Sequence, residues 1–293
     1  MQGDTSSAFL AALAAFYRGV PVAHVEAGLR TESATNPFPE EMNRRLLSQV
    51  ALLHFAPTER AGRALLGEGM VPERVFVTGN TVVDALQHIR SSEAYRATTP
   101  PVIVRPGERL ILVTLHRRES WGVLDRICGA LKTIAKRRPD VQVVMPVHPN
   151  PAVSETIRQV LGGTPRVTLL DALDYLSFLK LLEQSWMVMT DSGGVQEEAP
   201  ILGRPVLVLR ENTERPEAVD LGVALVVGTE PAAIIAAALT LIDDGQRYRE
   251  MARPVSPFGD GRAASRIADV IMARQDAIEA YARNTGNPRA VAS

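Results

Sequence analysis

Cysteine is nearly missing. A single Cys128 in 293 residues excludes an intramolecular disulfide framework and any cysteine-rich metal site. Excess charge is missing too. With 32 Lys and Arg against 33 Asp and Glu, the formal net charge is -1, which gives no electrostatic case for nucleic acid or an anionic membrane as partner. No apolar run approaches the length of a membrane span. The five histidines show no HExxH-type pairing, so no metal site is expected. What remains, 46% hydrophobic and 22% charged residues, is ordinary globular composition, and the length predicts about two domains. Cytoplasmic residence is the expectation.

Apolar runs and helical stretches alternate along the chain. Met1–Thr5 reads as a strand-to-helix turn and Ser6–Arg18 as a helix closed by Gly19. Strands are predicted at Val20–Glu26, Leu52–Ala56 and Val75–Thr78, with helices at Glu40–Ala51, Thr58–Glu68 and Thr81–Ile89. A Pro-rich stretch, Ala97–Pro106, reads as a linker. Six further strands follow, at Leu110–Thr114, Val141–Pro146, Val167–Leu170, Trp186–Met189, Val206–Leu209 and Ala224–Val227, with helices between them. This is the pattern of parallel sheets with crossover helices. The predicted organisation is a partial Rossmann-like domain over 1–96, a whole one over 107–262, and one long helix over 263–283 with a structureless tail after it. Three strands are few for a covered parallel sheet, so the first domain reads as the second half of a unit whose first half this sequence does not contain.

The most informative stretch is Thr190–Arg215, TDSGGVQEEAPILGRPVLVLRENTER. A buried strand runs into Asp191-Ser192-Gly193-Gly194, and a helix follows. A small hydroxyl and two glycines at a helix N-terminus make an anion seat, because unpaired N–H groups and the positive dipole end face the ligand. Glu197 and Glu198, just inside the helix, offer carboxylates to a ribose diol. The blander reading is an ordinary crossover whose glycines only form the turn, and SGG alone does not decide between the two. The acidic pair and the basic loop Arg210–Arg215 favour a nucleotide diphosphate.

Other charged residues fall at predicted strand ends, the edge where parallel sheets bind ligands. Asp4 and Glu26 end the first two strands, and Glu40 opens a helix after Pro39. Against a chemical role stand an N-cap for Asp4, a pairing with Arg30 for Glu26, and first-turn helix charge for Glu40 and Glu41, a reading accepted for Glu41. In the second domain His116-Arg117-Arg118-Glu119 follows a strand, which places cations for a diphosphate and a histidine able to move a proton. A solvated charge run is the alternative. His148, in PVHPNP, is as readily a turn residue as a ligand; His24, His54 and His88 read as structural.

The ordered set GDTSSAF, HVEAGLRT, PFPEEMNR, VTGNTVVDAL, HRRESWG, PVHPNP, TDSGGVQEEAP, TERPEA and PFGDGRAASRI resembles the non-hydrolysing UDP-N-acetylglucosamine 2-epimerases, from Gln2 to about Ile271. The resemblance implies a glycosyltransferase-B-like fold of two Rossmann-like domains with the active site in the cleft, the first domain here incomplete. It also implies a homodimer, no cofactor, and a final helix that braces the first domain. The implied reaction interconverts UDP-GlcNAc and UDP-ManNAc by eliminating UDP to 2-acetamidoglucal and adding it back. Asp4, Glu26 and Glu40 would be the acid/base set, with His116 assisting at the diphosphate. Ser192, Gly193, Gly194 and Arg215 match the phosphate seat, with Arg117 and Arg118 near it. Glu198 matches the ribose ligand and Phe178 the uracil neighbour. The family's common Gln is Leu173 here. His148, with His116 and Arg117, matches positions near a second, allosteric UDP-GlcNAc site.

The family's early GTRPE-like loop has no match in this sequence. The expectation is therefore a gene start placed too late, and weak or absent activity for the chain as written. The alternatives are a UDP-sugar-binding fragment without turnover and a hydrolysing 2-epimerase that releases UDP and free ManNAc. A glycosyltransferase is disfavoured by the Asp4, Glu26 and Glu40 set.

Overall fold

Each predicted strand pairs in parallel with its neighbours, as the alternation requires. The computed structural model describes residues 1–31 and 33–285, so the predicted tail lies, from residue 286 on, outside the described residues. The chain opens with α1 (Ser6–Tyr17), β1 (Ala23–Val25), α2 (Glu40–Val50), β2 (Leu53–Ala56), α3 (Glu59–Gly67), β3 (Val75–Val77) and α4 (Thr81–Ser91). It continues with α5 (Glu93–Ala97), β4 (Arg109–Thr114), α6 (Leu124–Arg137), β5 (Val141–Pro146), α7 (Pro151–Leu161), β6 (Val167–Leu170) and α8 (Tyr175–Gln184). Then come β7 (Met187–Thr190), α9 (Gly193–Ile201), β8 (Val206–Val208), α10 (Pro216–Asp220), β9 (Ala224–Val226), α11 (Pro231–Asp243), α12 (Gly245–Met251), α13 (Ala263–Ala273) and α14 (Gln275–Asn284). The chain divides into two units, one of Met1–Gln87 with the segment from Pro257 on, the other of His88–Ser256. The first crossing thus falls inside α4 rather than in the Pro-rich stretch, and the return comes at Pro257 rather than after residue 262.

In the second unit six strands run in the order β6-β5-β4-β7-β8-β9. The reversal of strand order between β4 and β7 marks the topological switch point of a doubly wound sheet. Ile111, Val113, Ile127, Leu131, Met187, Met189 and Leu207 form one core cluster, all at 0% exposure. The single thiol, Cys128, is buried in that cluster on α6, and burial pushes its pKa up to about 12. Side-chain caps begin the helices: Asn150 for α7, Asp174 for α8 and Asp244 for α12.

The first unit carries three strands in the order β1-β2-β3, and Gln2 adds a parallel bridge to Val25. Phe55 and Ile267 are buried together with Leu52 and Leu53, and Ile278 and Tyr281 pack against them. The single helix predicted over 263–283 is two helices broken at Arg274, whose guanidinium lies 5.5 Å from the Phe76 ring centre. α13 brings Ile267 and α14 brings Ile278 and Tyr281 to the same cluster.

His24 and His54 face each other across β1 and β2, 0% and 1% exposed, and are structural as read. Burial lowers them to about 3 and about 4 from 6.5, and His24 Nε2 lies 2.9 Å from the Gly3 carbonyl oxygen. Both are therefore neutral in the folded chain. The unfolded chain takes up protons near pH 6.5 and the folded one does not, so this contribution is fully present above that pH and is lost as pH falls toward 4. Urea denaturation at pH 7 and pH 5 should show a loss of about 2 kcal/mol per histidine, and His24→Asn with His54→Asn should flatten it.

Candidate functional site

Strand register decides what reaches the carboxyl edge of the second sheet. Thr114 is opposite Thr190, and Thr190 is opposite Val208, so the residues after each strand emerge side by side. The Thr114 and Thr190 hydroxyls are 2.5 Å apart, and Ser192 N–H donates to Thr190 Oγ1. These contacts fix the turn between β7 and α9.

Asp191 is the anchor of this edge. It is 0% exposed and accepts from His116 N–H, Arg117 N–H and Ser120 Oγ–H, while His116 Nδ1 lies 3.3 Å from Oδ1. The His116 ring stacks with the His148 ring at 6.5 Å, and His148 Nδ1 accepts from Asn150 N–H. Burial lowers the His116 pKa, and the Asp191 charge opposes that shift.

A second buried carboxylate gathers the cations. Glu214 accepts from Arg117 at 3.0 Å and Arg210 at 2.8 Å and is ion-paired with Arg215 Nη1 at 2.8 Å, and Arg215 Nε–H donates to Glu197 at 2.9 Å. Three guanidiniums and two carboxylates thus meet at the N-terminus of α9. Gly193 has a steric reason beyond turn formation: a Cβ there would meet the Arg215 guanidinium at 3.0 Å and Glu214 at 3.1 Å. A Cβ built on Gly194, which is exposed, would meet no neighbouring segment within 4 Å among the described residues, so the backbone there is open on that side. The Ser192 side chain makes no cap hydrogen bond. Arg118 is exposed and, among the described residues, no hydrogen bond or ion pair joins it to this knot.

The two glutamates of α9 separate in role. Glu197 belongs to Arg215, so it is not open to a ribose. Glu198, 6% exposed, takes the Tyr175 hydroxyl instead. Phe178 lies one turn after Tyr175, on the same face of α8.

In the first unit the bridge Gln2–Val25 and the pairs Val25–Phe55 and Phe55–Phe76 bring Asp4, Glu26 and the Thr78-Gly79-Asn80 turn to one edge. Asp4 does not cap α1, since Thr5 accepts from Ala8 N–H. It is ion-paired with Arg44, a guanidinium 1% exposed, and its carbonyl accepts from Asn43. Glu26 is not paired with Arg30, whose guanidinium binds Glu68 and Ser48. Instead Glu26 holds a left-handed φ of 66° and accepts from Asn80 Nδ2 at 3.3 Å. A non-glycine residue in that conformation is sustained by its surroundings, and such residues cluster at functional sites. Glu40 shares the helix face of Asn43 and Arg44, and its Oε2 is buried with no hydrogen-bond partner among the described residues. Glu41, read as first-turn helix charge, is 0% exposed and serves the preceding loop, accepting from Thr31 N–H and Arg45.

Sequence reasoning passed over Asp191 as turn chemistry and Glu214 as part of a charged loop, and it left out Arg44, Asn80 and Tyr175. The available signal was, for Asp191, a lone carboxylate directly after a strand and two residues before a glycine pair, and, for Glu214, a carboxylate beside Arg215 in a loop with a second arginine, Arg210.

With this geometry established, the family profile described as UDP-N-acetylglucosamine 2-epimerase matches residues 1–272. A UDP-N-acetylglucosamine 2-epimerase of Escherichia coli strain K12 is 47% identical over 92% of this chain and 74% of its own. One from Yersinia pestis is 47% identical over 94% and 75%. The crystal structure of UDP-GlcNAc 2-epimerase from Neisseria meningitidis bound to UDP-GlcNAc superposes with a TM-score of 0.86 at 40% identity, over 93% of this chain and 75% of that one. The fold is accordingly glycosyltransferase-B-like, with parallel α/β units.

Replacing Asp191 by Asn keeps the volume but turns an amide donor toward three donors. Asp191→Asn should cost about 2–3 kcal/mol of folding stability in chemical denaturation, and a loss below about 0.5 kcal/mol would remove its anchoring role.

Proposed function

Because the chain belongs to the UDP-N-acetylglucosamine 2-epimerase family, we propose that it interconverts UDP-GlcNAc and UDP-ManNAc without net hydrolysis, in the cytoplasm, for envelope polysaccharide synthesis. The observation that carries this reading is the guanidinium knot beside Ser192-Gly193-Gly194, a preformed seat for a leaving diphosphate. Arg117 and Arg215 take the diphosphate, Glu198 the ribose and Phe178 the uracil side.

In the reaction a base removes the C2 proton while the C1–O bond breaks, giving 2-acetamidoglucal and UDP. UDP then re-adds at C1 as a proton arrives at C2 from the other face. Asp4, Glu26 and Glu40 supply the acid and base. Arg44 lies beside Asp4, and one Glu40 oxygen is buried without a hydrogen-bond partner among the described residues, so the two acids stand in different surroundings. His116, whose pKa desolvation lowers against the opposing Asp191 charge, donates to the departing diphosphate or accepts from it. Its ring stacked on His148 is compatible with a second nucleotide-sugar site nearby.

The reading includes a homodimer. α1 leaves Leu10 59%, Phe16 41% and Tyr17 77% exposed, apolar area that a second copy would cover. Sedimentation should give a dimer that Leu10→Asp with Tyr17→Asp dissociates; a monomer at micromolar concentration would end this part of the reading.

Turnover in deuterium oxide, followed by NMR, tests the reaction. UDP-ManNAc carrying one solvent deuterium at C2 is expected, slowed by about 10²–10⁴-fold in Glu26→Gln. Free UDP accumulating in step with sugar turnover would mean the hydrolysing reaction. Bound UDP without exchange would mean a binding protein.

A further inference from the structure

Within the second unit, one polar contact between α8 and α9 has no place in the reaction just described. The Tyr175 hydroxyl donates to Glu198 Oε1 across 2.5 Å. Glu198 is 6% exposed, and among the described residues its carboxylate has no other hydrogen-bond partner. Burial raises the Glu198 pKa above the ordinary carboxylate value, and the hydrogen bond from Tyr175 opposes the rise. Burial first, and then the Glu198 charge, drive the phenol the other way, upward, so it remains a donor at neutral pH. The Tyr175 residue is itself 38% exposed, so apolar burial does not account for it. Its ring lies partly in solvent while its hydroxyl is directed at a buried acid.

We propose that Tyr175 is a positioning residue for nucleotide binding: its hydroxyl fixes one oxygen of Glu198 so that the other is presented to the ribose diol. This rests on the reading of Glu198 as the ribose ligand. A carboxylate has acceptor sites on two oxygens. With Oε1 held by the phenol, the carboxylate plane is set and Oε2 takes the vicinal hydroxyls. Without the phenol, the buried acid has no donor to stabilise its charge, protonates more readily and turns freely. A neutral, rotating carboxyl discriminates poorly between a diol and its absence, because the penalty for leaving a buried charge unpaired is gone. The Tyr175–Glu198 pair would then be the ribose-selecting element of the second unit.

Calorimetry on the full 293-residue chain with UDP and 2′,3′-dideoxy-UDP tests this. Wild type should prefer UDP. Tyr175→Phe should lose about tenfold in UDP affinity and little for the dideoxy analogue, so the preference falls by that factor. In a Glu198→Gln background Tyr175→Phe should change neither value. The preference in Tyr175→Phe should also weaken at a higher pH than in wild type, as Glu198 protonates earlier. An unchanged preference, or equal weakening for both nucleotides, would overturn the proposal in favour of a purely structural tie. Absence of any preference in wild type would instead overturn the ribose role of Glu198, and the role of Tyr175 with it. If Tyr175→Phe does not fold, 3-fluorotyrosine at position 175 supplies a stronger donor in nearly the same volume. It should raise the preference; an unchanged value would refute the proposal.

Discussion

A carboxylate sealed from water among donors is the constraint on which the second unit's edge depends. Asp191 takes two backbone N–H groups, a hydroxyl and a histidine, and Glu214 takes three guanidiniums. Buried charges of this kind are tolerable only when they are fully partnered, so each carboxylate dictates the positions of the segments that partner it. The loop after β4, the N-terminus of α9 and the loop after β8 are thereby fixed to one another. Gly193 follows from the same constraint, because the knot occupies the space a side chain would need.

The first unit solves a different problem with the same means. Its three carboxylates have different surroundings: Asp4 against a buried guanidinium, Glu26 at a left-handed strand end under an asparagine, Glu40 with a buried oxygen unpartnered. Asn80 ties this edge to the returning chain as well, its N–H donating to the Phe258 carbonyl at 2.6 Å.

Most of the α/β alternation was legible, because parallel strands buried on both faces read as continuous apolar runs and their helices carry caps. TDSGG was legible as the turn that joins β7 to α9, where its glycines stand. Long-range pairing was not. Nothing in ENTER says that Glu214 is buried under three arginines contributed by two loops, and nothing in PEE distinguishes a solvated Glu41 from one holding Thr31. Charge runs look solvated until the fold supplies counter-ions from far along the chain. The break at Arg274 was hidden as well, since helical character continues on both sides of it. α5 and α10, each of 5 residues, were too short for periodicity to reveal.

The single thiol gives the protein an internal reporter. Cys128 lies in the second unit's core, and its thiolate is strongly disfavoured there. A thiol reagent therefore finds nothing to modify while that core stays closed. With no other cysteine to confuse the signal, its labelling rate measures how often α6 opens from the sheet. Under the proposed function, nucleotide bound at the carboxyl edge of the same sheet should slow that rate as its occupancy rises, which makes one sulfur atom a gauge of ligand binding.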